Sequence, residues 1–245
     1  MGLFTTLPVT LMSIYWMPVN LMEYTPQFSV VWNNLGFFLQ GAFLTLRIVV
    51  FAIAFGLILA ILGALSRTSG NRFLQAISGL YVEFFRNTPF LIQLFFFFFG
   101  LPSIGITMSA GQAAVLALAI NFGAYSTEII RAGIEGIGKG QIEAGKSLGL
   151  KNLQIFRHIV LLPALGAVYP ALVSQIVIAV LFSSVVSQIS AEELTFVGNY
   201  LQSRTFRSFE IYLTISLIYV AMVWLIKAIA YLIQRKFLAF TQYSR

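Results

Sequence analysis

The sequence predicts an all-α integral membrane protein, a bundle of about five transmembrane helices with one long polar loop. Of the 245 residues, 59% are hydrophobic and only 9% are charged, and the mean hydropathy is +0.89. Soluble domains carry about 25% charged residues, so the composition excludes a soluble domain. There are no cysteines, which excludes disulfides and thiolate metal sites.

Five apolar runs are each long enough, at roughly 20 residues, to cross about 30 Å of hydrocarbon as helices. They are predicted at about 48–65, 76–101, 110–130, 159–186 and 211–233. Residues 35–46 are predicted as an interfacial lead-in to the first span. Prolines interrupt residues 1–34, which are predicted as an extracytoplasmic or interfacial segment. A sixth span there is a weaker alternative.

The positions of the basic residues predict the orientation in the membrane. With the amino terminus outside, the inner connections hold ten Lys and Arg residues and the outer connections hold two. Because cytoplasmic connections carry the excess of positive charge, the carboxyl terminus is predicted inside. One transmembrane domain at 35–233 then contains a cytoplasmic loop at about 131–158, and a cytoplasmic tail follows at 234–245. The net charge of +7 is explained by this asymmetry, so no nucleic acid partner is predicted.

Six glycines fall within 17 residues of the predicted loop, from Gly133 to Gly149. Glycine permits tight turns at low steric cost, so we expect short helices separated by turns. Residues 133–140 nearly match the phosphate-binding pattern G-x-x-x-x-G-K-[ST]. However, Gly140 replaces the hydroxyl residue that would bind Mg²⁺, and the preceding segment is a predicted membrane helix rather than a strand. Nucleotide binding by this chain is therefore not predicted.

The segment from Glu143 to Pro163 reads Glu-Ala-Gly, three residues, Gly149, nine residues, and Ile-Val-Leu-Leu-Pro. It resembles the cytoplasmic loop by which permeases of ATP-binding cassette (ABC) importers contact their ATPase. The family pattern is Glu-Ala-Ala, three residues, Gly, nine residues, and Ile-x-Leu-Pro. Glu143, Ala144 and Gly149 match this pattern, Gly145 replaces the second Ala, and Pro163 comes one residue late.

Two further segments extend the resemblance to the polar amino acid branch of these permeases. Residues 81–93 read Tyr-Val-Glu-Phe-Phe-Arg-Asn-Thr-Pro-Phe-Leu-Ile-Gln, and residues 123–134 read Gly-Ala-Tyr-Ser-Thr-Glu-Ile-Ile-Arg-Ala-Gly-Ile. With the loop, the similarity covers about 41–233. It implies the type I ABC importer fold and a permease in a bacterial inner membrane. The implied cargo is a polar or charged amino acid, or a related compound such as an opine.

The resemblance also implies partners and an interaction site. The partners would be an ABC ATPase dimer, a second permease subunit, identical or homologous, and an extracytoplasmic substrate-binding protein. ATP and Mg²⁺ would bind the ATPase, while this chain would hold no cofactor or metal and would catalyse no covalent step. The ATPase-coupling residues would be Glu143, Ala144, Gly145 and Gly149.

Two pairs of charged residues lie near the cytoplasmic ends of the predicted spans. Glu83 and Arg86, like Glu128 and Arg131, are three residues apart, so each pair can meet on one helix face. Charges in a bilayer need a partner or a water-filled cavity, and we interpret these four as structural or gate charges. Pro89 should kink or break the second span near residue 88.

Uncharged polar residues nearer mid-span are predicted to line the substrate pathway, because a polar amino acid needs replacement hydrogen bonds there. These residues are Asn121, Gln175, Ser183, Ser184 and Ser187. The serines can equally bond to their own helix. Members of the resembled branch usually have Lys-Asp/Asn-Thr/Ser-Ser-Leu where residues 181–185 read Leu-Phe-Ser-Ser-Val. Either the partner permease holds the binding residues or this chain prefers another ligand.

Two other function classes are weighed against a permease subunit. An ATP-independent amino acid carrier or channel would transport without an ATPase, but it leaves the loop motif unexplained. An intramembrane enzyme would have to use His158, the one histidine of a chain that has neither Cys nor Asp. A solvated position for His158 at a loop end is the simpler interpretation.

Overall fold

The computed structural model of the chain describes residues 24–237, which fold as helices joined by short connections. The α-helices are α1 Ser29–Asn33, α2 Leu35–Thr68, α3 Arg72–Arg86, α4 Phe90–Phe95, α5 Ala110–Glu135, α6 Lys139–Ser147, α7 Asn152–Ile155, α8 Leu161–Phe182, α9 Leu194–Thr205 and α10 Ser208–Phe237. Two π-helical segments, Phe96–Gly100 and Phe156–Val160, and two 3-10 segments, Leu101–Ile104 and Ser183–Ile189, continue some of them. The all-α prediction is confirmed, since none of the described residues forms a strand.

Four helical stretches are long and apolar enough to cross a membrane: Leu35–Thr68, Ala110–Glu135, Asn152–Ile189 and Ser208–Lys236. A fifth is a bent pair, Arg72–Arg86 and Phe90–Ile104, whose halves differ in direction by 107°. The predicted second span at 76–101 corresponds to this bent pair. The predicted break at Pro89 is confirmed, because α3 ends at Arg86 and α4 begins at Phe90.

The first membrane helix is longer than predicted, because the predicted interfacial lead-in at 35–46 is continuous with it. Residues 35–46 belong to α2, a continuous helix of 34 residues and about 50 Å at 1.5 Å per residue. Packing explains the difference, because Phe38 is fully buried and Gly41 lies against α9. A Cβ on Gly41 would come within 3.0 Å of Leu194 Cα.

The central contact of the bundle is the pair α2 and α5, which approach closely through small residues. A Cβ on Gly56 would lie 2.8 Å from the carbonyl oxygen of Ala119, and one on Gly63 would lie 2.4 Å from Thr127 Oγ1. Small residues at such positions let membrane helices pack by van der Waals contact. This pair forms the frame on which the remaining helices are arranged.

The bundle has two ends, which we call the loop end and the opposite end. The loop end carries the helices between α5 and α8, namely α6 and α7. The opposite end carries the connection from Gly105 to Ser109 and the α9–α10 turn. There the Tyr24 hydroxyl donates to the carboxylate of Glu210, which raises the pKa of Tyr24, and the Gln27 amide donates to Glu210 Oε1 at 2.7 Å.

The terminal predictions fall largely outside the described residues. Of the segment 1–34, the structure describes only 24–34, where α1 has five residues and is too short to cross a membrane. Most of the predicted tail at 234–245 also lies outside residues 24–237.

Candidate functional site

The loop end presents α6 as a short, separate helix, as the glycine spacing predicts. Glu143 and Ala144 are exposed on it, whereas Gly145 is buried. A Cβ on Gly145 would lie 2.7 Å from Ile159 Cδ1 and 3.2 Å from Ile155 Cγ1. The glycine therefore lets α6 approach the segment that leads into α8.

Gly149 ends α6 in the left-handed conformation, with a φ of +77°. Its amide donates to the carbonyl of Lys146 at 2.9 Å, and the Leu150 amide donates to the carbonyl of Gly145 at 3.1 Å. These two bonds form a Schellman motif, which satisfies the last carbonyls of a helix and usually needs glycine. The position of Gly149 in the sequence motif thus has a conformational reason.

Pro163 lies in the first turn of α8. Proline lacks the amide that would bond to the Ile159 carbonyl four residues earlier. The preceding turn, Phe156–Val160, is widened to a π-helix, one of the usual local adjustments in a helix. The helical path from α7 through α8 continues without a break to Ile189.

Two large apolar side chains are exposed in the loop, Leu148 at 80% and Leu153 at 76%. They flank the Schellman turn and have little contact with the bundle. A polar loop with exposed leucines beside an exposed helix has the features of a surface for a protein partner.

The second charged pair forms as predicted, and it is part of a larger cluster near the loop end. Arg131 donates to Glu128 at 2.6 Å and also pairs with Glu135 at 2.5 Å, while Arg67 of α2 lies 3.5 Å from Glu128. The cluster joins α2 to α5 beside the loop.

The expected pairing of Glu83 with Arg86 does not form. The guanidinium of Arg86 instead lies over the ring of Tyr125, 5.3 Å from its centroid. Both charged side chains are exposed, so neither needs the other for compensation. Sequence spacing alone did not distinguish this pair from the pair in α5.

Gln93 bridges the break between α3 and α4. Pro89 cannot donate to the Phe85 carbonyl, and Gln93 Nε2 donates there instead at 2.8 Å. The same amide contacts the carbonyl and hydroxyl oxygens of Thr88 at 3.0 and 2.9 Å. Asn121 of α5 completes the cluster, because its Nδ2 donates to Gln93 Oε1 at 3.0 Å.

The five predicted pathway residues lie on α5, on α8 and on the 3-10 segment that follows α8. Asn121 is committed to Gln93, and Gln175 is buried in α8. The three serine hydroxyls bond to carbonyls of their own helix: Ser183 to Val180, Ser184 to Leu181, and Ser187 to Ser184. Ser184 lines a cavity of about 430 Å³ between α8 and α10.

The apolar pair at 181–182 has a packing role in this chain. Phe182 stacks on Phe90 of α4, with ring centroids 5.2 Å apart and an interplanar angle of 18°. Leu181 is half exposed and lines the cavity between α8 and α10. The stack joins the end of α8 to the segment beyond the helix break.

A buried carboxyl group, Glu193, was not among the predicted site residues. It is fully buried and caps α9 by accepting from the Phe196 amide at 2.8 Å. It also accepts from the hydroxyls of Tyr219 and Thr45, at 2.7 and 3.4 Å. The sequence signal is weak here, because glutamate is not among the usual N-cap residues, which are Ser, Thr, Asp and Asn.

His158 lies at the loop end and its ring Nδ1 is 2.9 Å from the carbonyl of Gln154. This is a bond within its own helical segment. Within residues 24–237, no three His, Cys, Asp or Glu residues are grouped so that they could hold a metal ion.

Known proteins share both the sequence pattern and the fold. The family of binding-protein-dependent transport system inner membrane components matches residues 52–239. The putative glutamine transport system permease protein GlnP of Rickettsia conorii is 34% identical, over 82% of this chain and 92% of its own length. GlnP of Escherichia coli K12 is 31% identical, over 85% and 96%.

Solved structures agree with the sequence relatives. The crystal structure of an amino acid ABC transporter with histidines has a TM-score of 0.81 and 33% identity, and the match covers 87% of this chain and all of that chain. An inward-facing MetNI methionine ABC transporter has a TM-score of 0.70 over 83% and 97% of the two chains. At 23% identity, the second likeness concerns the fold alone.

A helical membrane bundle with this loop defines a transport permease with the type I ABC importer fold. The chain belongs to the family of binding-protein-dependent transport system inner membrane components. It is a multi-pass permease subunit of an amino acid ABC importer in the inner membrane.

Proposed function

We propose that this chain couples a separate ATPase to amino acid import through the loop from Glu143 to Pro163. The observation that carries the proposal is the construction of that loop. Glu143 and Ala144 are exposed on α6, Gly149 fixes its end, and Leu148 is 80% exposed beside it. An apolar side chain on a small, separate helix suits insertion into a groove on another protein.

The connections of α6 would carry a movement of the loop into the bundle. On one side, only residues 136–138 separate α6 from α5. On the other side, Gly145 contacts the segment that runs unbroken into α8. Closure of an ATPase dimer against α6 would therefore displace α5 and α8 together, and alternating access to the two sides of the membrane would follow.

The proposed assembly contains more than this chain. Two ABC ATPase subunits would lie at the loop end and bind ATP and Mg²⁺. A second permease subunit, identical or homologous, would complete the pathway, and an extracytoplasmic binding protein would deliver the substrate at the opposite end. The amino terminus would lie outside and the carboxyl terminus inside, as the excess of basic residues in the inner connections indicates. The chain itself would perform no covalent chemistry.

The proposed cargo is a polar amino acid, and glutamine is the first to test. This choice rests on the glutamine transport systems to which the similar permeases belong. Amide groups are present in the membrane region of this chain, where Gln93 and Asn121 bond to each other. A contact of these amides, or of the serines in the 3-10 segment after α8, with the substrate is part of the same proposal.

The coupling proposal is tested by changing Leu148 and Glu143 of the loop. The complete transporter, with its ATPase and binding protein, is reconstituted in liposomes, and binding-protein-stimulated ATP hydrolysis and glutamine uptake are measured. Leu148→Asp and Glu143→Lys should each lower uptake by about tenfold or more, because a charge in an apolar groove or a reversed contact costs at least about 1.4 kcal/mol. Either the assembly of the ATPase with the permease or the stimulated ATP hydrolysis should decrease together with uptake.

The matched control is Leu148→Met, which keeps an apolar side chain at the same exposed position and should leave uptake near normal. Normal uptake in both Leu148→Asp and Glu143→Lys would refute coupling through this surface. Gradient-driven uptake by the chain without any ATPase would favour the carrier or channel alternative instead.

A further inference from the structure

A cavity of about 1010 Å³ lies between α2 and α5, and none of the residues assigned above to coupling or to the pathway lines it. Its walls are mainly apolar, and Phe51, Phe55 and Ile58 each remain about half exposed there. The cavity has two charged residues, Arg47 of α2 and Glu192 of the connection before α9. We propose that it binds an ethanolamine phospholipid.

The charges lie at one end of the cavity. Arg47 is near the first lining residue of α2, and Glu192 lies with Ser109 and Gln112 at the start of α5. Neither Arg47 nor Glu192 makes an ion pair or a side-chain hydrogen bond to any residue of the described range 24–237. Both side chains are exposed and can pair with groups of opposite sign on a lipid headgroup.

The start of α5 contributes hydrogen-bond donors to the end of the cavity that contains Arg47. Ser109 and Gln112 cap each other's backbone, with Gln112 Oε1 accepting from the Ser109 amide at 2.9 Å. Gln112 lines the cavity, and its side-chain NH2 group remains available as a donor. A phosphate would lie between this donor, the helix start and the Arg47 guanidinium, which suits phosphate geometry.

The apolar part has the length of one leaflet. The lining residues of α5 lie between Ala110 and Ile120, a rise of about 15 Å along the helix at 1.5 Å per residue. One leaflet contributes half of the roughly 30 Å hydrocarbon core. An acyl chain along Phe51, Phe55 and Ile58 fits this depth, whereas a free amino acid would leave most of the apolar wall uncovered.

Glu192 selects the headgroup. The primary ammonium of ethanolamine can donate hydrogen bonds to a carboxylate, while the quaternary ammonium of choline cannot. A glycerol headgroup would bring no cation to Glu192. One zwitterionic lipid therefore satisfies both charges, with its phosphate at Arg47 and its ammonium at Glu192. This proposal does not depend on the direction or cargo of transport.

The test is native mass spectrometry of the purified transporter complex after exchange into equal mixtures of phosphatidylethanolamine, phosphatidylglycerol and phosphatidylcholine with identical acyl chains. The wild type should retain one phosphatidylethanolamine per chain, preferred by about fivefold over each of the other two lipids. Glu192→Gln should bring that preference close to parity. Arg47→Gln should lower retention of phosphatidylethanolamine and phosphatidylglycerol by about fivefold.

Two further variants separate the site from lipid that surrounds any membrane protein. Ile58→Trp fills the groove without touching the charges and should expel the lipid even if Arg47→Gln does not fold. Arg204→Gln, at an exposed arginine that lies over Tyr200 and not in the cavity, should retain it. Equal retention in all variants, or displacement of the lipid by excess glutamine, would overturn the proposal. The proposal would also be overturned if the isolated chain retained the lipid but the complete transporter complex did not.

Discussion

The side chains of Asn121 and Gln93 hold α5 against the broken helix pair, with Asn121 Nδ2 donating to Gln93 Oε1 at 3.0 Å. Both are buried, and Gln93 also supplies the hydrogen bond that Pro89 removes from Phe85. The break in the membrane segment is thus compensated by one side chain, which in turn is oriented by its neighbour across the helix interface. A polar cluster inside an apolar bundle has a structural explanation here before any contact with substrate is considered.

Replacement of Gln93 by Leu should destabilise the protein, because the Phe85 and Thr88 carbonyls and the Asn121 amide would lose their partner in a buried region. We expect a loss of about 1–3 kcal/mol in the free energy of unfolding, measured by denaturant titration in detergent. Gln188→Leu is the control, since Gln188 is exposed. In a double-mutant cycle, Gln93→Leu and Asn121→Leu should be non-additive. Additive losses would show that the pair is not coupled.

Substitution of Gly56 by Ala tests the close approach of α2 and α5. The added methyl would lie 2.7 Å from the Phe122 ring and 2.8 Å from a backbone oxygen of α5, which cannot rotate away. Overpacking of this kind costs about 1–3 kcal/mol, and a lower temperature of unfolding should report it. Gly36→Ala makes the same change in the same helix with no atom within 4 Å. It should be neutral or stabilising by up to about 1 kcal/mol, and equal effects at the two positions would contradict the packing described.

Substitution of Glu193 should lower the stability of the protein more than substitution of the adjacent Glu192. Glu193→Leu removes the cap of α9 and leaves the Tyr219 and Thr45 hydroxyls without their acceptor. A loss of about 2–4 kcal/mol is expected from a buried network and a helix cap together, and Glu193→Gln should lose less because it keeps an acceptor. Thermal unfolding in lipid-free detergent measures both. Glu192→Leu, at an exposed position, serves as the control, and a similar loss there would argue against a specific role for Glu193.

Gly149→Ala should loosen the end of α6 without unfolding the bundle. A left-handed conformation costs an ordinary L-residue about 1–2 kcal/mol, so the Schellman bonds from Gly149 and Leu150 should open more often. Hydrogen exchange of these amides should accelerate by about fivefold or more. Gly140→Ala, inside α6 with no atom within 4 Å, should leave exchange unchanged or slow it. Unchanged exchange in Gly149→Ala would mean that the turn tolerates a side chain.

Local patterns of the sequence were sufficient for several elements of the fold. Apolar run lengths predicted the membrane segments, Pro89 predicted the break of the second, and crowded glycines predicted short helices in the loop. Apolar residues transfer favourably to lipid, proline lacks a backbone amide, and glycine readily adopts a positive φ. Each of these is a property of the residues themselves. The extent of α2 did not follow, because its continuation through residues 35–46 depends on packing against α9.

The two charged pairs illustrate why the site was harder to predict than the fold. Glu128 and Arg131 have the same spacing as Glu83 and Arg86, yet only the first pair forms. Arg67 from α2 reinforces Glu128, while Tyr125 from α5 offers Arg86 its ring. The predicted pathway serines were equally hard to assign from the sequence. In the structure, all three serine hydroxyls bond to carbonyls of their own helical segment.

The sequence by itself determined that this chain is a helical membrane protein with short helices in one polar loop, and its motifs resemble those of ABC importer permeases. The helical and membrane conclusions rest on composition and local conformation, which each residue carries with it. Only the tertiary structure decided that Gln93 replaces a bond lost to Pro89, that Glu193 is buried, and that Arg47 and Glu192 share one cavity. Such relationships depend on which helices are neighbours and at what height, and small residues such as Gly56 set those distances through contacts remote in the sequence.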